Sequence, residues 1–172
     1  MIRINRQTDY AIRVILSLAK RGQDELVSTS TIRKEMLIPP ALAQRIVASL
    51  ARGGFILTFP GRDGGLKLAR PAREINLRQI IELIEGKFFI SDCLVDAGEC
   101  PFDNKCPVRH RWARLQSMMM RELEQITFED LAQEALSVEG LIQLGIAQPQ
   151  VQKKKRVKIT QRSSKQTSIP VP

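Results

Sequence analysis

The sequence predicts a mainly α chain with one small β-hairpin, in the order of a winged helix-turn-helix followed by a long dimerisation helix. Three observations predict it. Two short helical patterns flank the break Leu37-Ile38-Pro39-Pro40. The run Phe55-Ile56-Leu57-Thr58-Phe59 turns through PGRDGG and returns as Leu66-Lys67-Leu68. Further on, Trp112, Leu115, Met119, Leu123 and Ile126 recur at gaps of 3, 4, 4 and 3, the stripe of an amphipathic helix.

Taken in order, the first helix is expected to start at Thr8, an N-capping residue, with Asp9 in its first turn. Ala11, Val14, Ile15 and Leu18 mark its inner face, and Gly22 ends it. Ser28-Thr29-Ser30 caps a short second helix running through Met36. Pro40 suits the first turn of a third helix that ends near Gly53-Gly54. On that helix Leu42, Ile46, Val47 and Leu50 point inward, leaving Ala41, Gln44, Arg45, Ser49 and Arg52 outward. Small, amide and guanidinium side chains on an outward face suit a recognition helix, because Gln and Arg make bidentate contacts to adenine and guanine edges. The hairpin that follows is then a wing, whose glycines let its tip approach a phosphate backbone. Arg52, Arg62 and Lys67 are the phosphate candidates. Leu77, Ile80, Ile81 and Ile84 mark a fourth helix closing at Gly86, and Thr127-Phe128-Glu129-Asp130 resembles a capping box opening one more short helix. A compact winged helix has little core to offer a long extra helix, so the Trp112 stripe is expected at a dimer interface, with intrachain packing the plainer alternative.

At 172 residues and 43% hydrophobic content, the chain can bury one good core or two small ones. No apolar run approaches the roughly 18 residues of a membrane span. The start MIRINRQTDYAIR lacks a secretory apolar region, so the chain is read as cytoplasmic. Its net charge of +9 is unevenly spread. Residues 1–73 carry 13 basic and 5 acidic side chains, residues 74–147 carry 7 and 13, and residues 148–172 carry 7 and none. This divides the chain into an anion-binding module at 1–73, a cysteine-bearing and dimerisation region at 74–136, and a basic tail at 137–172 expected to be disordered. The tail's KKKR run would add sequence-independent attraction to phosphate, or serve only solubility.

Cys93, Cys100 and Cys106 are the chain's 3 cysteines, and they bunch in a polar segment with Gly98, Pro101 and Pro107 that favours an irregular loop. Three soft thiolates in one loop suit zinc or an iron–sulfur cluster. Their spacing matches neither the usual structural-zinc pairs nor the tight run of bacterial ferredoxins, so spacing alone leaves the two open. Isolated free thiols would not be expected to bunch, and an odd count without a secretory signal argues against a disulfide framework. No glycine-rich cofactor loop follows a βα unit and no nucleophile–base pair stands out, so an enzyme is not expected.

Residues 1 to about 136 resemble the IscR, NsrR and RirA family of winged-helix transcription regulators. The resemblance lies in RINRQTDYAIRVILSLA, PALAQRIVASLARGGFI, GRDGGLKLARPAREINLRQIIELIEG and DCLVDAGECPFDNKC. It implies a homodimer that holds an iron–sulfur cluster on three cysteines and changes its affinity for operator DNA when the cluster is lost, oxidised or attacked by nitric oxide. It implies a 4Fe-4S centre ahead of a 2Fe-2S one. In nitric-oxide-sensing members a first-helix aspartate from the partner subunit completes the ligand set, and Asp9 stands at that position. In members of the IscR type a histidine three residues after the last cysteine does so; here Arg109 stands there, with His110 next. Many members carry a wing arginine that enters the minor groove, where this chain has Pro60 with Arg62 and Lys67 nearby.

The expectation is a DNA-binding repressor whose operator affinity is set by a cluster sensing iron, oxygen or redox state, or nitric oxide. The alternative is a winged-helix regulator using structural zinc or thiol chemistry without a cluster.

Overall fold

Helix α1 (Arg6–Arg21) opens the computed structural model, which describes residues 4–61, 64–95, 100–102 and 105–143. Its N-cap is Asn5, whose Oδ1 accepts from the Thr8 backbone N–H at 2.9 Å. This corrects the expected Thr8 cap: Thr8 is fully buried and donates its hydroxyl to Glu85 instead. Ala11, Val14, Ile15 and Leu18 are buried as their spacing predicts, and Gly22 ends the helix at φ 95.

Helix α2 (Thr29–Glu35) begins at Ser28, whose Oγ accepts from the Thr31 N–H at 3.1 Å. The turn after it is a left-handed closure on a residue with a side chain. Leu37 has φ 52, and the Ile38 N–H reaches back to the Arg33 carbonyl at 2.9 Å. Helix α3 (Pro40–Arg52) has Pro40 in its first turn, where a missing N–H costs nothing, and stops at Gly53. Its buried seam is Ala43, Ile46 and Leu50, with Leu42 and Val47 half-buried beside it. Ala43 was not expected inward, because alanine reads equally well on either face of a helix.

Strands β1 (Ile56–Phe59) and β2 (Gly65–Leu68) form the expected antiparallel hairpin, with Ile56 opposite Leu68 and Phe59 opposite Gly65. A third piece of chain joins it. Val27 exchanges both backbone hydrogen bonds with Leu66, at 3.0 and 2.8 Å, tying the lead-in of α2 to the wing. Gly65 is required by this approach, since a Cβ there would lie 2.6 Å from the Val27 carbonyl oxygen.

Helix α4 (Leu77–Glu85) has a complete capping box between Asn76 and Gln79 and ends at Gly86. Helix α5 (Pro107–Gln125) buries none of its residues, whereas α6 (Phe128–Gln143) packs on α1. Thr127 caps the helix, its Oγ1 accepting from the Asp130 N–H at 3.2 Å and donating to the Asp130 carboxylate at 2.6 Å, so half of the expected box forms, and the helix it opens has 16 residues rather than being short. Arg78 on α4 donates to Glu82 and to Glu124 of α5, both at 3.0 Å. These carboxylates, Glu82 foremost, raise the Arg78 pKa above its ordinary value.

One hydrophobic core runs through the described residues. Ile15, Leu18, Ile32, Ile46, Leu50, Ile56 and Leu68 share it with Ile75, Ile80 and Phe128, all essentially inaccessible. It therefore crosses residue 73, because Phe128 brings the start of α6 beneath α1, and α6 itself continues past residue 136. No described helix is long and apolar enough to cross a membrane. The tail beyond Gln143 and Arg62 of the wing lie outside the described residues.

Candidate DNA-reading face and cysteine segment

The candidate recognition face is built by α2, its turn and α3. Ala41, Gln44, Arg45 and Arg52 are exposed on α3, and Ser49 is half-buried, with Arg52 Nη2 3.4 Å from its hydroxyl. Lys67 on β2 lies 3.8 Å from Asp24 and above the Phe59 ring. Asp24 is almost fully exposed, so this pair holds Lys67 weakly. Between α2, α3 and the wing runs a groove of about 520 Å³ whose lining includes Ser28, Thr29, Ser30, Thr58 and the wing glycines Gly61 and Gly64. The Ser28, Thr29 and Ser30 hydroxyls were read from the sequence only as helix caps, since nothing local shows that the wing folds back beside them. Gly64 is obligatory: a Cβ there would lie 2.1 Å from the Phe59 carbonyl oxygen.

The cysteines sit where α4 hands over to α5. Cys93 lies in a single 3-10 turn, Asp92–Leu94; Cys106 is the N-cap residue of α5; and Cys100 lies in the stretch 100–102. All three are free thiols and partly buried. The Cys93 sulfur is 3.2 Å from the Ser91 hydroxyl. Helix α5 pins the segment leading to it. Gln116 donates its amide to the Phe88 carbonyl and accepts from the Ile90 N–H at 2.9 Å, while Arg109 Nε donates to the Cys93 carbonyl at 3.0 Å. Gln116 was invisible in the sequence, where an amide on a helix looks solvated.

The two remaining ligand candidates are placed differently. His110 is exposed, while its neighbour Arg109 turns toward the Cys93 turn. Asp9 pairs with Arg13 at 2.7 Å, with both side chains about half exposed. The start of α1 is fastened to α4, because Glu85 Oε1 accepts from Thr8 Oγ1 at 2.6 Å and from the Asn5 N–H at 3.1 Å. Among the described residues no three His, Cys, Asp or Glu side chains gather as a metal-binding group. The donor chemistry nonetheless fits a thiolate-held centre: three free, partly accessible sulfurs in one segment between two helices.

Residues 4–134 match the family described as Rrf2, iron-dependent transcriptional regulator. The chain belongs to the Rrf2 family. One Rrf2 relative, the HTH-type transcriptional regulator NsrR of Oceanobacillus iheyensis, is 30% identical over 143 residues, covering 80% of this chain and 97% of that protein. Two solved Rrf2-like structures share its fold. CymR, the global cysteine regulator of B. subtilis, aligns with a TM-score of 0.66 at 24% identity, over 78% of this chain and 98% of that one. T. potens IscR aligns with a TM-score of 0.61 at 22% identity, over 78% and 88%. This Rrf2 protein is thus a winged-helix transcriptional regulator.

Proposed function

We propose that this Rrf2 protein is a homodimeric repressor whose operator affinity is governed by an iron–sulfur cluster, of the 4Fe-4S type, held by Cys93, Cys100 and Cys106. The observation that carries the reading is the placement of three free, partly accessible thiols at the junction of α4 and α5, outside the core of an otherwise complete winged helix. The NsrR name of a 30% identical relative supports it. When bound, the cluster supplies a centre that iron limitation, oxygen or nitric oxide can dismantle. Asp9 is the favoured fourth ligand, contributed by the partner subunit. Its hold on Arg13 is an exposed i,i+4 pair worth about 0.3–0.5 kcal/mol, so releasing the carboxylate costs little. His110 is the lesser candidate, because Arg109 occupies the side facing Cys93.

The dimer is proposed from α5, where Val108, Trp112, Leu115 and Met118 are each between 41% and 54% exposed, while Met119 and Leu123 of the expected stripe are half-buried within the chain. Such a helix is stable when a second copy covers it. On the DNA side, Gln44, Arg45, Ser49 and Ala41 face base edges, while Arg52, Arg62 and Lys67 take phosphates. Arg109 and Gln116 fasten the cysteine segment to α5, and Glu85 fastens α4 to the start of α1. A change at the cysteines then reaches the spacing of two recognition helices, whose half-sites lie about 34 Å apart. The basic tail adds sequence-independent attraction to the duplex.

The same free thiols also suit a regulator that uses structural zinc or thiol oxidation. Operator affinity, measured anaerobically before and after iron and sulfide are stripped, separates the two. Under the cluster reading, stripping changes affinity at least tenfold with the thiols kept reduced; an affinity that follows only thiol oxidation or zinc removal supports the other.

A further inference from the structure

The first turn of α3 departs from the usual chemistry of a helix start. A helix N-terminus ordinarily offers unpaired N–H groups and so attracts phosphate. Here Pro39 and Pro40 have no N–H to give. The N–H groups of Leu42 and Ala43 both go to the Pro39 carbonyl, at 3.0 and 3.1 Å, and no side chain caps the helix. Yet Pro39, Pro40 and Ala41 are all exposed, forming an apolar leading edge one turn ahead of Gln44 and Arg45.

In a helix-turn-helix the N-terminal residues of the recognition helix meet base edges in the major groove. The C5 methyl of thymine is the largest apolar group that B-DNA displays there, and the other three bases lack it. We infer that Pro39, Pro40 and Ala41 form a methyl-reading edge that selects thymine at fixed positions of each operator half-site, beside the polar reading by Gln44 and Arg45. This rests on the operator reading above and adds a specificity-determining surface to it. The two prolines suit the task twice over: they remove donors that would compete for phosphate, and their fixed φ holds the rings in place at little entropic cost.

The test uses the full chain. An operator is selected from a random duplex pool, and each thymine is then replaced singly by deoxyuridine, which differs only in lacking the methyl. At one or more thymines per half-site, the loss is expected to weaken binding about fourfold, the worth of one buried methyl-sized group. Pro40→Ala keeps a residue that favours helix at that position and removes the ring, and it should abolish the uracil effect at the thymine Pro40 covers. An enriched operator that is indifferent to uracil everywhere overturns the inference alone. A pool that enriches no sequence overturns the operator reading and the inference with it.

Discussion

Thr8 Oγ1 donates to Glu85 Oε1 at 2.6 Å, joining the first turn of α1 to the last turn of α4 across 77 residues of sequence. Because Thr8 is wholly buried and Asp9 is its neighbour, this bond sets where the proposed fourth ligand begins its reach. Thr8→Val keeps the shape and deletes the donor. It should cost about 1.5 kcal/mol in urea unfolding, the net worth of a hydrogen bond to a charged group. A change below about 0.3 kcal/mol, within the error of urea unfolding, would show that the contact fastens nothing.

Phe128 is fully buried in the core shared by α1, α3 and α4. Phe128→Ala should destabilise by about 3–5 kcal/mol. Unfolding of the wild-type chain should be one transition when followed both by far-ultraviolet circular dichroism and by the fluorescence of Trp112. Two separated transitions would mean that α5, which carries Trp112, and the winged helix do not share a cooperative unit.

Leu37 carries a side chain in the left-handed region, where Cβ meets the following carbonyl. It is also 80% exposed, so it recovers little burial in return. Leu37→Gly should therefore stabilise the protein by about 0.5–1 kcal/mol, the strain relieved less the extra chain entropy of glycine. A lower melting temperature would show that the Leu37 side chain makes a contact of greater worth.

Much of this was legible in the sequence where the signal is local. Pro40, Gly54 and Gly86 bound their helices as their backbone preferences dictate, and the alternation on either side of the wing turn forms the hairpin. What escaped was made by partners distant in sequence. Asn5 displaces Thr8 as a cap because Glu85 claims the Thr8 hydroxyl, and Gly65 is needed because Val27 comes alongside it. Gln116 gives no sign on its helix that it brackets the backbone before Cys93. The cysteine segment itself was conspicuous by composition alone, since three thiols in a polar loop have no packing purpose.

Arg45 is exposed on the outward face of α3. If it reads a guanine, Arg45→Ala should lose about 1–3 kcal/mol of operator binding and relax one base position. A uniform loss over all sequences would make it a phosphate contact.

The 25 residues from Gln148 carry 7 basic and no acidic side chains. Ending the chain at Ala147 should leave the operator sequence unchanged while flattening the dependence of log affinity on log salt, by about 0.9 for each phosphate the tail neutralises. An identical slope would leave the tail without a part in DNA binding.

The central claim is that Cys93, Cys100 and Cys106 hold an iron–sulfur centre, and iron and acid-labile sulfide analysis of protein purified without air tests it most directly. Brown protein with on the order of four iron and four sulfide per chain is expected, both lost when any one of the three cysteines becomes serine. Colourless protein containing neither, in the wild-type chain, would contradict it.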